Sequence, residues 1–289
     1  MADTLAGSAT GDTSVFLTDD DPVLVGQALP FSLKLYETVL QKTPDHEELL
    51  LATGSAFISY ANAFVANPAS MLSWDEWQRK ASEQARAKRL YLRGRDYVIH
   101  GADVRHPGFA DSLNADDTEA LQTILAEMEE DDVPYLYWIG AAWVAAFSLD
   151  IMDLELAFTV KKAGILMERA LEIDESFQDG AIHDFLVQFH AAVPATMGGD
   201  SSRVEYHHQR ALEIADGRLA GPYMSYAEAV LIPSQEADRF VEYMERILAV
   251  DPDGYPAGRL INVLTQEKAR WYLDHLDDIF LPESEESTF

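Results

Sequence analysis

The sequence predicts an all-α protein built as a solenoid of degenerate helix pairs and closed by a C-terminal capping helix. Three observations predict it. A helix-ending phrase returns three times, apolar residues recur at three- and four-residue steps, and alternating strand patterns bounded by turns are missing. The phrase is ERALEID at Glu168–Asp174, QRALEIA at Gln209–Ala215 and ERILAVD at Glu245–Asp251, with offsets of 41 and 36 residues. A weaker copy, YETVLQKTPD, spans Glu37 and Asp45. One helix pair cannot bury its own apolar stripe, so stacked neighbours bury it for each other.

The elements follow in chain order. Residues 1–21, MADTLAGSATGDTSVFLTDDD, have neither a basic start nor an apolar run, which predicts a disordered leader or tether rather than a signal peptide. Pro30 is expected to open the first helix, which carries Leu33, Tyr36, Val39 and Leu40. Ser73 with Glu76 predicts a capping box for a long helix to about Arg105, and Asp116 with Glu119 predicts another. In the first full repeat Ala163, Leu166, Met167, Ala170 and Leu171 form one stripe. Asp, or Asp-Pro, then stops the helix. Gly198-Gly199 predicts a turn capped by Asp200, and Gly221-Pro222 punctuates the last repeats. A final helix from Pro256 to about Leu281 carries Leu260, Val263, Leu264 and Trp271 and is expected to cap the stack. Repeat periods of this size lie close to the roughly 34 residues of tetratricopeptide repeats. The chain therefore divides into the leader 1–21, one tetratricopeptide-like domain 22–281, and an acidic tail 282–289.

Two stretches carry no charge: Leu49 to Trp74 and Val133 to Leu149. The first holds an Asn-Pro expected to break it, and the second is shorter than the roughly 20 residues a bilayer needs, so neither reads as a membrane span. A helix without a polar face must be covered on all sides, by other repeats, a second subunit or a ligand. Tyr60, Phe64, Tyr135, Trp138, Trp143 and Phe147 are the six candidates for lining an apolar cavity or channel, with Tyr137 among them in the sequence; the plainer reading is that they are core.

Charge and motifs exclude several function classes. The 289 residues hold 21 Lys plus Arg against 50 Asp plus Glu, a net charge of −29. Such a chain is repelled by phosphate backbones and anionic lipids. It has no Cys, which excludes disulfides, thiolate catalysis and Cys-ligated metal. His183 and His190 share a helical face while the adjacent His207 and His208 point apart, a pattern of core or surface histidines rather than metal ligands. No catalytic motif stands out, so the expectation is a non-enzyme with no cofactor and no metal. Arg79, Arg86, Arg89 and Arg93 fall on one helical arc. They are expected to form a solvated face paired to acids; the alternative is a contact for an anionic substrate or a partner's acidic patch.

The segments SLKLYETVLQKTPDHEELLLATGSAFISYANAFV, AKRLYLRGRDYVIHG, VPYLYWIGAAWVAAFSL, MERALEIDESFQDGAIHDFLVQF, MGGD, ALEIADGRLAGPYMSYAEAV and KARWYLDHLDDIFL follow in this order from about Pro22 to Leu281. In that order the chain resembles the T-component family of tetratricopeptide-associated TRAP transporters. The resemblance implies a helical periplasmic lipoprotein that forms homotrimers with a pore. It also implies a partner, the periplasmic substrate-binding P-component of a TRAP uptake system, and a small organic acid of hydrophobic character as ligand. The implied lipid anchor needs an N-terminal Cys, which belongs to a native precursor and is absent from these residues. Two functional classes follow: a transport accessory protein that passes ligand through an oligomeric channel, or a general adaptor reading a peptide or protein tail in a concave groove. The last three repeats are not notably basic, which disfavours an acidic tail in such a groove.

Overall fold

Asp21, not Pro30, starts the first helix. Its carboxylate accepts from the Leu24 N–H at 3.0 Å, Pro22 occupies the first turn where no N–H is needed, and α1 runs Pro22–Leu40 with Pro30 inside it. The computed structural model describes residues 15–115 and 118–281. The second helix, α2 (Glu47–Ala61), starts at His46, whose Nδ1 accepts from Leu49 N–H, and Glu47 and Glu48 lie at its positive end. The expected Asn-Pro break does not occur. The helix passes through a π-turn at Asn62–Ala66 into a last turn at Asn67–Ser70, and the Asn67 N–H reaches back to Asn62 O. That longer bond absorbs the local change of winding, and Pro68 then sits in a first turn. By length and composition alone Glu47–Ser70 could cross a membrane; here 56% of its most apolar window is buried in the fold.

Next comes α3 (Trp77–Arg105), entered through a 3-10 turn at Trp74–Glu76. The expected capping box is not formed, because the Ser73 hydroxyl donates to Asp75 Oδ1 at 2.8 Å instead of serving the backbone. Two short helices, α4 (Phe109–Asn114) and α5 (Glu119–Ala126), lead to α6 (Val133–Leu149). Asp116, the expected cap of α5, lies outside the described residues. The remaining helices are α7 (Leu154–Thr159), α8 (Lys161–Ile173), α9 (Phe177–Ala192), α10 (Val204–Ala215), α11 (Gly221–Tyr226), α12 (Ala237–Ala249), α13 (Arg259–Asp274) and α14 (Leu276–Ile279). The described residues contain helices and turns and no strand.

Packing follows chain order. The helix α2 packs between α1 and α3, α6 between α3 and α8, α9 against α10, and α12 against α13. One large apolar core extends from Leu33 to Val193, and a second from Val187 to Phe280. The repeat stripe sits where its period places it: Ala163, Leu166, Met167 and Ala170 are fully buried. The crossing of α2 on α3 is tight. A Cβ added to Gly94 would stand 2.7 Å from Gly54 O, and one added to Gly54 would stand 2.6 Å from Gly94 O.

The recurring phrase also ends alike. Asp179-Gly180 and Asp216-Gly217 both take left-handed backbone, with φ of 56°, 90°, 47° and 72°. Asp179 Oδ1 lies 2.9 Å from Arg218 Nη2. The Tyr255 hydroxyl donates to Asp179 Oδ2 at 2.6 Å, and the Arg218 guanidinium lies over the Tyr255 ring. The turns after α8, α10 and α12 are thus tied together, the first because Gln178, Asp179 and Gly180 leave helical winding at the start of α9.

The last helix buries a different side from the one expected. Leu260, Asn262, Gln266, Ala269 and Tyr272 face inward, while Val263, Leu264 and Trp271 are half-buried. Asn262 and Gln266 are polar, yet Asn262 bonds both Ala220 N–H and Arg218 O, and the Gln266 amide donates to Ile247 O and Val250 O. A hydrophobicity pattern cannot register side chains buried to satisfy loop carbonyls. Upstream of α1, Leu17 O accepts from Leu260 N–H at 3.0 Å and Thr18 O from Arg259 Nη1 at 3.2 Å, so the start of the described chain meets the start of α13.

Candidate functional site

The six residues singled out as ligand or channel lining belong to the first core or pack on it. Tyr60 and Phe64 stand one turn apart on the α2 extension, rings 5.8 Å apart, and Phe64 packs against Gly26 of α1. Tyr135 is buried against Gly101 of α3. The Trp143 indole donates to Thr159 Oγ1 at 3.1 Å, and the Arg95 guanidinium covers its ring at 5.0 Å. Phe147 is buried, whereas Trp138 keeps partial exposure beside Tyr137. Neither of two surface cavities, of about 510 and 440 Å³, is lined by any of the six. The larger one lies between α1 and α3.

The four arginines lie along the outer side of α3. Arg79 pairs with Glu76 at 2.8 Å. Arg86 pairs with Glu83 at 3.2 Å and donates to the Tyr60 hydroxyl. Arg93 pairs with Glu37, where Lys34 and the Tyr97 hydroxyl also converge, and its guanidinium lies 4.8 Å from the Phe57 ring. Burial works against the Glu37 charge, but Lys34, Tyr97 and Arg93 outweigh it and hold this carboxyl below its usual range. Arg89 is exposed and its side chain makes no ion pair or hydrogen bond among the described residues.

Histidines that the sequence places on separate helices meet in the interior. His183 Nδ1 and His207 Nδ1 are 2.8 Å apart, and His190 stacks on His207 at 5.4 Å. The other His183 nitrogen faces Glu175 Oε1 at 3.1 Å, so Nε2–H donates there and Nδ1 accepts from His207. His207 Nε2 is then a lone pair with no partner. His208 points the opposite way, stacked on Tyr226 at 4.1 Å, with Nε2 on the Tyr243 hydroxyl at 3.0 Å. The seven-residue spacing of His183 and His190 foretold their shared face; the contact with His207 is tertiary and had no local signal.

These rings are held neutral. Burial depresses His207 to about 3 and His208 to about 4, and it also lowers His183 and His190. The unfolded chain takes up protons near pH 6.5 while the folded chain does not, so stability is full above that pH. It is lost as the pH falls from about 6.5 toward 4, each ring adding a slope of up to about 1.4 kcal/mol per pH unit. Asp184 acts in the opposite sense, since burial raises it to about 6 and its ionised form is the penalised one. Urea titrations between pH 7 and 4.5 are expected to show a steep acid-side loss that His207→Phe flattens; an unchanged slope contradicts the assignment.

Around Asp184 the sequence offered no motif. It lies on α9, and Oδ2 accepts from Ser225 Oγ at 2.9 Å while Gln188 Nε2 donates to the same serine at 3.2 Å. Among the described residues no three His, Asp or Glu side chains are arranged to hold a metal ion.

Comparison with known proteins adds the family. A family described as TRAP transporter T-component matches residues 18–280. An uncharacterized protein of Treponema pallidum (strain Nichols) is 36% identical over 269 residues, covering 93% of this chain and 83% of the relative.

Proposed function

The chain belongs to the TRAP transporter T-component family, and from that premise we propose that it is a non-enzymatic accessory component of a TRAP-type uptake transporter. It binds the periplasmic substrate-binding component and helps pass a small organic ligand through a pore formed by a homotrimer. The location is periplasmic, with a lipid anchor in the native precursor.

The observation that carries this reading is the extent of the family match, which takes in the whole helical body rather than one repeat. The surface is consistent with a scaffold that recognises partners. Ile151, Met152, Leu154 and Phe158 are 66–79% exposed within a single turn and short helix, and Trp74 is 90% exposed. Clustered exposed apolar side chains of this kind mark contact surfaces.

Sedimentation of the purified chain and its capture by a purified TRAP substrate-binding protein test the reading. A stable trimer and a specific complex are expected. A monomer that retains only peptides favours the adaptor instead. Within the complex, Arg89→Glu is expected to weaken partner binding about tenfold without changing thermal stability, because no internal pair is broken. Unchanged affinity removes the α3 arginines from the contact.

A further inference from the structure

The cleft between α1 and α3 holds about 510 Å³, and its walls lean positive. Lys34 and Arg93 stand there against a single acid, Glu37, in a chain whose net charge is −29. Glu37 is served from three sides: by Lys34 at 2.8 Å, by the Tyr97 hydroxyl at 2.9 Å and by Arg93. The two cations are not spent in return. Arg93 gives Nη2 to Glu37 and lays its guanidinium over the Phe57 ring, while its Nε and Nη1 have no acceptor among the described residues. Lys34 gives Glu37 one N–H of its ammonium and is 67% exposed. Donors of one sign therefore remain open along one wall of a cavity.

The cleft has two unlike ends. Arg93 meets Glu37, and further along both elements His100 Nε2 lies 3.0 Å from Asp45 Oδ1, so α1 and α3 advance side by side. Arg93 and His100 are seven residues apart on α3, about 10 Å along its axis. Lys34 and Arg93 mark the charged end. Toward the other end Leu40, Pro44 and Leu50 line the cleft, and Leu50 lies beside Gly101 of α3. The last carbonyls of α1, which stops at Leu40, also point that way, and their negative pole disfavours an anion there.

We infer that this cleft takes a small carboxylic acid with an apolar body, its carboxylate between Lys34 and Arg93 and its body running along Leu40, Pro44 and Leu50. The chemistry selects the class. A carboxylate accepts from both cations as charge-assisted bonds. An amine would meet two like charges, and an anion without a body would leave the apolar end wet. Of the four arginines on the outer side of α3, Arg93 alone lines the cleft, so ligand and partner contacts through Arg89 are separable. The inference rests on the ligand-handling half of the proposed function and is independent of partner binding.

Titration calorimetry on the full purified chain tests it with 4-phenylbutyrate, 4-phenylbutanol, 4-phenylbutylamine and acetate. The phenyl acid is expected to bind at least about tenfold more tightly than the alcohol or acetate, and the amine more weakly than the alcohol. Lys34→Gln and Arg93→Gln should each weaken the acid at least about fivefold and leave the alcohol unchanged. Glu37→Gln, which removes the opposing charge and releases both cations, should tighten the acid severalfold. No binding of the acid, equal binding of the alcohol or of acetate, or an acid preference that survives both cation variants overturns the inference. So does a weaker acid in Glu37→Gln. Lys34 is exposed, so its variant reports on the site even if Arg93→Gln does not fold. Sedimentation and partner capture on the same preparation separate the cases. Intact capture without acid binding removes the cleft alone, and acid binding without capture keeps the cleft and removes the transporter reading.

Discussion

Gly94→Val is expected to unfold the N-terminal half of the protein, at a cost above about 3 kcal/mol. The reason is that no flexible group stands in the way. A Cβ at this position would lie 2.6 Å from Ile58 Cγ1 and 2.7 Å from the Gly54 carbonyl, and the second neighbour is backbone. The obstruction is reciprocal, since Gly54 faces Val98 and Gly94 O at similar distances. Relief would require α2 and α3 to move apart, and α3 also carries α6 on its other side. Interiors at crystal-like density do not absorb such a shift locally. Even Gly94→Ala is expected to cost roughly 2 kcal/mol, because the first carbon is the one that clashes. Urea unfolding followed by circular dichroism measures both. An alanine variant with an unchanged midpoint would mean that the crossing is looser than described.

Asp132→Ala is the second large effect, at about 3–5 kcal/mol. The Asp132 side chain is 4% exposed and accepts from Arg105 Nε at 2.5 Å, His106 Nε2 at 2.8 Å and the Glu129 N–H at 2.8 Å. It joins the C-terminal end of α3 to the N-terminal end of α6. Deleting it leaves two donors and one N–H without their acceptor in a partly closed site. Burial acts to raise its pKa, but the Glu129 N–H, His106 and Arg105 together hold it below the ordinary carboxylate range. Its contribution is therefore present above about pH 4 and is lost as the pH falls through the depressed value. The alanine variant should lose stability at pH 7 and approach the parent only in strong acid. A constant difference across that range contradicts the ion-pair account.

Much of the fold was legible in residue order. The helical class, the buried stripe of α8 and the turn at Gly198 all follow from periods and from a residue that tolerates positive φ. What misled were the local punctuation marks. Pro30 has the look of a start and Pro68 of a break, yet both lie inside helices, because a helix can already be under way at the one and a π-turn can absorb the other. Ser73 had the right spacing for a box but found nearer carboxylate partners. Asn262 and Gln266 break the apolar stripe of α13 because they are buried to serve distant backbone groups. The family resemblance carried further than any single motif, since it depended on ordered segments over the whole body. The pairing of His183 with His207 and the bond of Ser225 to Asp184 depend on which helices meet, and no single segment encodes that.

The bonded chain from Asp179 through Arg218 to Tyr255 has a further consequence. Nearest-neighbour stacks ordinarily fray one unit at a time from a free end. Here a guanidinium and a phenol from two corners converge on the carboxylate of a third, so loosening the last corner deprives Asp179 of one of its donors. The C-terminal hairpins should open and close as a single block, giving whatever docks there a rigid platform instead of a hinged one.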